Sequence, residues 1–435
     1  MILSKITRKF VQICINLRVI MIPRPFYQEQ IISAFKLVPV VVLIGARQVG
    51  KSTLMRMHEF DTQTQFLNGQ DPENAELFQS FSSVKSWMNS VFLLPEKGVL
   101  LLDEFQFIPN ISLMIKLITD HFPDFKILCS GSSSLDIRQK VEESLAGRVR
   151  IVEVFSLSFS EYLNFCDEDS FYKYGLYNPD IEYAAIDKTL FAHLKNFIIY
   201  GGFPRLALTS SGEEKINLLN DIFQTYLVRD VRSYVRNEDV AGFNKMLRLL
   251  SLQNSNLLNV NELSRTSGLI NKKCDEYLLL LEQMYIVKLI EPIGGSGRRN
   301  LTKMKKIYFL DTGLRNLIAR NLNAPEQRTD YPFLLENYVL LEILKSFPAH
   351  TQINFYRTYD NLEIDFIVND FLKILSIEVK ATNFARPKHF RGLNAFNSEF
   401  DVAKSFLINE NLNLKDKKVR FLPALLMSKL FSISI

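Results

Sequence analysis

The sequence predicts an α/β protein of several domains: a parallel-sheet domain first, then a helical linker with a winged-helix module, and a smaller α/β domain at the C-terminus. Three observations carry that prediction. The apolar run VPVVVLIG leads straight into a glycine-rich turn and a helix, the order of a buried parallel strand followed by a helix. Residues 243–313 read as three helical segments and two strands. Near the end, NLEIDFIVNDFLKILSIEVKAT alternates apolar and charged residues like two short strands joined at Asn369-Asp370.

A chain of 435 residues, 47% hydrophobic and 23% charged, is long enough for two to four packed domains. A formal charge of +5 is compatible with nucleic acid but small for this length. The four cysteines, Cys14, Cys129, Cys166 and Cys274, form no CxxC pair, which argues against a disulfide scaffold or structural zinc and for reduced intracellular thiols. Residues 1–25 form an N-terminal extension. Gln12, Asn16 and Arg18 interrupt its apolar stretch, so it is too polar to span a bilayer, and a cytoplasmic protein without stable membrane insertion is expected. An amphipathic surface helix, or a segment upstream of a true start at Met21, are the readings open for it.

Residues 26–165 are expected to form the first domain. Gly45, Ala46, Arg47, Gln48, Val49, Gly50, Lys51, Ser52 and Thr53 match the spacing G-x-x-x-x-G-K-S and open a helix. Small residues let backbone N–H groups wrap a phosphate chain, the lysine reaches the terminal phosphates, and the serine hydroxyl ligates magnesium. This P-loop makes ATP with Mg2+ the expected ligand. The next buried strand, VLLL, ends in Asp103 and Glu104, placed to hold the magnesium and to polarise the attacking water. A third strand ends in Ser130, which is placed to sense the terminal phosphate or is only a loop serine. Arg148, in ESLAGRVR, is a candidate to neutralise charge on the transferring phosphoryl group, within the chain or from a neighbour; the rival reading is a packing or solvated arginine. The dinucleotide pattern GxGxxG is absent.

Residues 166–237 read as a helical linker broken at YGGFPR, with Arg229, Arg232 and Arg236 repeated along one helix. Residues 238–313 fit a winged helix. Its second turn helix begins with Asn271, Lys272 and Lys273, and the wing loop carries Arg298, Arg299 and Lys303, so these are the candidate DNA or RNA contacts. A protein-binding or structural winged helix is the alternative.

Residues 314–435 carry the acids. Period-two alternation places Glu363, Asp365 and Ile367 on one face, Ile364, Phe366 and Val368 on the other, and Glu378 with Lys380 beside Ser376. With Glu336 from the preceding helix, Asp365 and Glu378 are a candidate site for Mg2+ or Mn2+, and Lys380 is a candidate to stabilise a scissile phosphate. The alternative is a solvated sheet edge with cross-strand Glu–Lys pairs.

The motifs GARQVGKSTL, LLLDEFQ, SGSSS, ESLAGR, GGFP, YLVRDV, YFLDTGLRN, LLENYVLLEI, EIDFIV and IEVKAT occur in this order. In them the chain resembles a large prokaryotic family of AAA-type ATP-binding proteins with a nuclease-like C-terminal domain of unknown function. The resemblance implies an AAA-like P-loop NTPase fold, with Lys51, Ser52 and Asp103 on phosphate and metal and Glu104 as base. It also implies a restriction-endonuclease-like C-terminal fold in which Glu336, Asp365, Glu378 and Lys380 form the site. The function expected is a magnesium-dependent ATPase acting with nucleic acid, with a metal-dependent nuclease site, in a chain that is a candidate homo-oligomer. The alternative is a nucleotide-dependent regulatory or scaffold protein that binds DNA or a protein partner without cleavage.

Overall fold

The computed structural model describes residues 22–430 apart from residue 59, residues 132–143, residue 184, residues 294–303, residues 359–361, residue 385 and residues 416–418. The chain forms two compact units, divided between Val154 and Phe155.

The first unit is a parallel sheet with helices in the crossovers. In chain order it runs α1 (Pro25–Phe35), β1 (Val40–Ile44), α2 (Lys51–Met57), β2 (Thr64–Asn68), α3 (Pro72–Leu77), α4 (Phe81–Val91), β3 (Val99–Asp103), α5 (Ile111–His121), β4 (Lys126–Ser130) and β5 (Val149–Glu153). Every pairing is parallel, in the order β2-β3-β4-β1-β5. Strands β1 and β3, VVVLI and VLLLD, are buried along their whole length, as parallel strands covered on both faces must be. The C-terminal ends of β1, β3 and β4 therefore share one edge of the sheet.

The second unit begins with helices α6 (Phe159–Cys166), α7 (Glu168–Gly175), α8 (Lys188–Tyr200), α9 (Pro204–Ala207) and α10 (Gly212–Ile222), the last continuing into a π-helical stretch, Phe223–Asp230. Then come α11 (Val240–Leu252), α12 (Val260–Ser267), α13 (Asn271–Gln283), β6 (Val287–Pro292), β7 (Lys306–Phe309), α14 (Thr312–Ala319) and α15 (Tyr331–Ser346). The C-terminal part adds β8 (Gln352–Arg357), β9 (Glu363–Asn369), β10 (Ile374–Val379), α16 (Arg391–Glu399), β11 (Lys404–Asn409), β12 (Leu414–Lys415) and β13 (Val419–Pro423).

The expected borders at 165 and 313 are not borders between compact bodies. Phe159 and Leu163 of α6 share a core with Leu194 and Phe197 of α8, Tyr338 of α15, Phe366 of β9 and Ile377 of β10. The hairpin β6–β7, expected as part of the winged helix, is the edge of an eight-stranded sheet ordered β12-β13-β11-β10-β9-β8-β6-β7. The link is a short parallel pairing of Glu291 and Pro292 with Asn354 and Phe355.

Three motifs lock these parts together. Asp311 accepts hydrogen bonds from the backbone N–H of Gly202 and of Leu314, at 2.9 and 3.0 Å. Gly201 lies so close to that carboxylate that a Cβ there would sit 2.1 Å from Asp311 Oδ1. Asn316 donates to the carbonyls of Ile198 and Ile199, and Asn337 pairs with both N–H and C=O of Phe309. GGFP, YFLDTGLRN and LLENY are thus a seam of side chains satisfying buried backbone groups. No helix among the described residues is long and apolar enough to cross a membrane.

Candidate functional site

The apolar strand β1 delivers the chain into the loop 45–50, and Gly50, at φ +94°, turns it into α2. A Cβ at Gly45 would meet the carbonyl oxygen of Val154 at 2.1 Å, so only glycine lets the loop leave the sheet here. Lys51 opens α2 and is buried, with its ammonium 2.9 Å from the Gly45 carbonyl and 2.8 Å from that of Ala46. Burial pulls the Lys51 ammonium down to about 8, against the opposing pull of Glu104 and Asp103. The next side chain, Ser52, donates to Asp103 Oδ1 at 3.0 Å, and Ser130 donates to the same oxygen. Thr53 follows with its side chain exposed.

The structure thus brings Lys51, Ser52, Asp103 and Ser130 together at the C-terminal ends of β1, β3 and β4. Glu104 follows β3 in the left-handed region at φ +49°, a strained conformation for a glutamate. Its Oε2 accepts from Gln106 at 2.6 Å. Sequence reasoning missed Arg24, which is buried just before α1. Its guanidinium lies over the Tyr27 ring and donates to the Val49 carbonyl at 3.0 Å, tying down the far side of the loop. Ser52 and Asp103 suit magnesium: a hydroxyl and a carboxylate held in mutual reach, on a donor set that leaves room for phosphate oxygens and water.

Arg148 is a correction as a within-chain catalytic group. The Val40 N–H donates to its carbonyl, and Val149 pairs with Val40 at the start of the sheet, whereas the loop leaves from Ile44. At ~3.3 Å per residue this is the wrong end of the strand by roughly four residues. Its guanidinium pairs with Asp120, at the last turn of α5, at 2.6 Å.

The second cluster lies in the other unit. Between Asn354 opposite Ile367 and Tyr356 opposite Ile364, β9 carries one residue more than β8. This bulge overturns strict alternation: Ile364 joins the small core of Ile367, Leu393 and Phe396, whereas Phe366 and Val368 face the larger core under α15. Asp365 Oδ2 accepts from the Val379 N–H at 2.8 Å, which brings it beside Glu378. Glu336 projects from α15 into the same pocket, where Tyr308 donates to its Oε1 at 2.6 Å. Lys380 pairs with Glu378 Oε1, while Glu378 Oε2 is buried without a hydrogen-bond partner.

Lys306 enters this pocket from β7, a residue that sequence reasoning did not connect with it. Its ammonium lies 3.0 Å from Glu336, 2.5 Å from Glu363 and 3.4 Å from Asp365. Burial and then the nearby Asp365 push the Glu336 carboxyl up to about 7. The same two causes hold Glu378 well above the usual carboxylate range, with Lys380 opposing. Burial opposes the charge on Lys306, but Glu336, Tyr308, Asp365 and Glu363 together keep its ammonium well above the ordinary lysine value. Among the described residues no three His, Cys, Asp or Glu side chains are disposed to hold a metal ion. As folded, the donor set Glu336, Asp365 and Glu378 does not fit a divalent ion, because a lysine already lies between two of the three.

In the winged-helix-like region, Asn271 donates to Asn261 at 2.6 Å and Lys273 is half-buried against Glu276 at 2.7 Å. Lys272 is exposed, but so are Asp275 and Glu276 on the same helix, so α13 presents mixed charge. Arg298, Arg299 and Lys303 lie outside the described residues.

The parallel sheet, the loop and its Asp103 partner define the first unit as an AAA-type P-loop ATPase domain. Residues 38–163 match the family described as AAA domain. Residues 191–326 and 332–426 match two further families, each described as a domain of unknown function (DUF8612 and DUF4143). The chain is 26% identical over 374 residues to an uncharacterized protein of Methanocaldococcus jannaschii, covering 81% of this chain and 78% of that protein. It is 25% identical over 376 residues to an uncharacterized protein of Haemophilus influenzae, covering 82% and 86%. Among solved structures it is similar to a Walker-type ATPase of Pyrococcus abyssi, at 14% identity and a TM-score of 0.46, over 69% of this chain and 96% of that one.

Proposed function

We propose that the chain is a magnesium-dependent ATPase whose second unit binds nucleic acid and does not cut it. The observation that carries the ATPase half is the meeting of Lys51, Ser52, Asp103 and Ser130 at one sheet edge. In this reading Lys51 exchanges the Gly45 and Ala46 carbonyls for the terminal phosphates. Ser52 and Asp103 hold the magnesium, which when bound offsets phosphate charge. Glu104 orients and deprotonates the attacking water, and Ser130 keeps Asp103 aimed at the site. Any charge neutralisation by Arg148 comes from a second copy. The binding half rests on the helix-turn-helix order of α12 and α13, with Lys272 exposed at the start of the second helix.

The test is phosphate release from ATP with Mg2+ and with EDTA, on wild type and Lys51→Ala, together with incubation of labelled DNA and RNA with Mn2+. Magnesium-dependent turnover lost in Lys51→Ala, with intact nucleic acid, is the result expected. Turnover equal in both proteins would remove the ATPase reading.

A second reading, metal-dependent phosphodiester cleavage in the acidic pocket, is favoured by one observation, the unpartnered Oε2 of Glu378. It requires Lys306 to leave the pocket. Cleavage by wild type that disappears in Asp365→Asn would put this reading first.

A further inference from the structure

We propose that Lys306 is the resident cation of the C-terminal acidic pocket, standing in the place of a divalent metal and closing the pocket as an ionic lock. This rests on the non-cleaving reading of the second unit and supplies its physical cause.

The geometry comes first. One ammonium lies within 3.4 Å of carboxylate oxygens from Glu336, Glu363 and Asp365, which arrive from two different elements, α15 and β9. Three acids converge on one cation, and that cation is a lysine. A metal at ~2.0 to 2.6 Å from the same oxygens would overlap the ammonium. The two cannot share the pocket.

Charge balance leads to the same place. Four carboxylates, Glu336, Glu363, Asp365 and Glu378, meet three cations, Lys306, Lys380 and Arg357. Adding a divalent ion to that set would leave the buried cluster with excess positive charge, which a low-dielectric interior opposes.

The position of Lys306 also gives the lock a purpose. It stands on β7, an edge strand of the sheet, whose hairpin partner β6 reaches β8 through a short pairing at Glu291 and Pro292, continued by the Ile293 N–H donating to the Phe355 carbonyl. Lys306 spans that short pairing to reach β9 and α15. The pocket thus ties the winged-helix-like hairpin to the C-terminal sheet.

The test uses the full-length protein, stripped of nucleotide and metal, with Mn2+ binding followed by electron paramagnetic resonance. Wild type is expected to bind no Mn2+ that Asp365→Asn removes. Lys306→Met, with its folding checked by circular dichroism, is expected to gain one bound Mn2+, and the double variant Lys306→Met/Asp365→Asn to lose it again. Lys306→Arg, which keeps the cation, is expected to stay metal-free. Wild-type Mn2+ binding lost in Asp365→Asn would overturn the proposal, even if Lys306→Met failed to fold. A folded Lys306→Met with no gain would also overturn it. If wild type binds Mn2+ here yet leaves nucleic acid intact, the lock fails while the non-cleaving reading stands.

Discussion

Nucleotide binding should take up a proton through Lys51. The ammonium is held at about 8 by burial in the loop, where its partners are two carbonyls. Phosphate oxygens in their place would add negative charge at hydrogen-bond distance and return the group towards the ordinary lysine value of 10.5. The bound state therefore holds more protons than the free state between about pH 8 and about pH 10.5, so affinity falls as pH rises through that window. Below it, Lys51 is charged in both states and affinity is flat.

The size follows from the same interval. At pH 7 roughly nine-tenths of the free protein carries the charge, and at pH 9 about one-tenth does, so the dissociation constant should rise about tenfold from pH 7 to pH 9. The full interval is worth about 3.4 kcal/mol, at ~1.36 kcal/mol per pH unit. Isothermal titration of MgATP in two buffers of different ionisation enthalpy reads the uptake directly, with about 0.9 proton taken up at pH 9 and about 0.1 at pH 7. Lys51→Arg keeps its charge at every pH and should show no such dependence. Equal affinity at pH 7 and pH 9 with no proton uptake in wild type would refute the argument.

Glu104→Gln should keep MgATP binding and lose turnover by roughly 10²- to 10⁴-fold, the range for a positioned general base; unchanged kcat would assign the water to another group. Gly313→Ala places a Cβ 2.0 Å from the Tyr200 carbonyl oxygen, so the helix α14 must shift. A loss of about 1 to 3 kcal/mol is expected, read as a lower melting temperature of the second unit, and an unchanged melt would deny the close approach. Lys272→Ala should weaken binding to mixed DNA or RNA and lower the salt slope by about one, whereas an unchanged slope would move the contact off α13.

The parts legible in the sequence are those whose chemistry is local. The loop 45–50 is read from contiguous residues because a backbone cradle needs its glycines, lysine and serine at fixed spacing. Asp103 follows because a buried strand must end where water or a ligand begins. The pocket of Glu336, Asp365 and Glu378 was legible as a gathering of acids, but its occupant was not. Lys306 stands 59 residues before Asp365 and, in the run TKMKK, looks like another surface lysine. The bulge in β9 was equally invisible, since period-two reasoning assumes the register that the bulge breaks. Arg148 misled for the opposite reason: a motif can keep its neighbours in sequence and still fall at the wrong end of a strand.

Partner type separates the functional candidates from the merely buried polar residues. Asp311, Asn316 and Asn337 sit in motifs as distinctive as the loop, yet each is bonded to buried backbone groups of the fold itself. Removing such a side chain strands a buried N–H or C=O, so its role is fixed by the fold. Glu342 belongs with them, accepting the Phe159 N–H at 3.1 Å where α6 begins. Asp103 differs. Its partners are two hydroxyls, and Lys51 is held by carbonyls at the loop itself, bonds that an arriving phosphate and metal can exchange without unravelling a helix or a sheet. The acidic pocket lies between these cases: its partners are charged side chains, but they are charges the protein supplies for itself. That self-sufficiency is the physical ground for placing the chain's chemistry in the first unit and its ionic lock in the second.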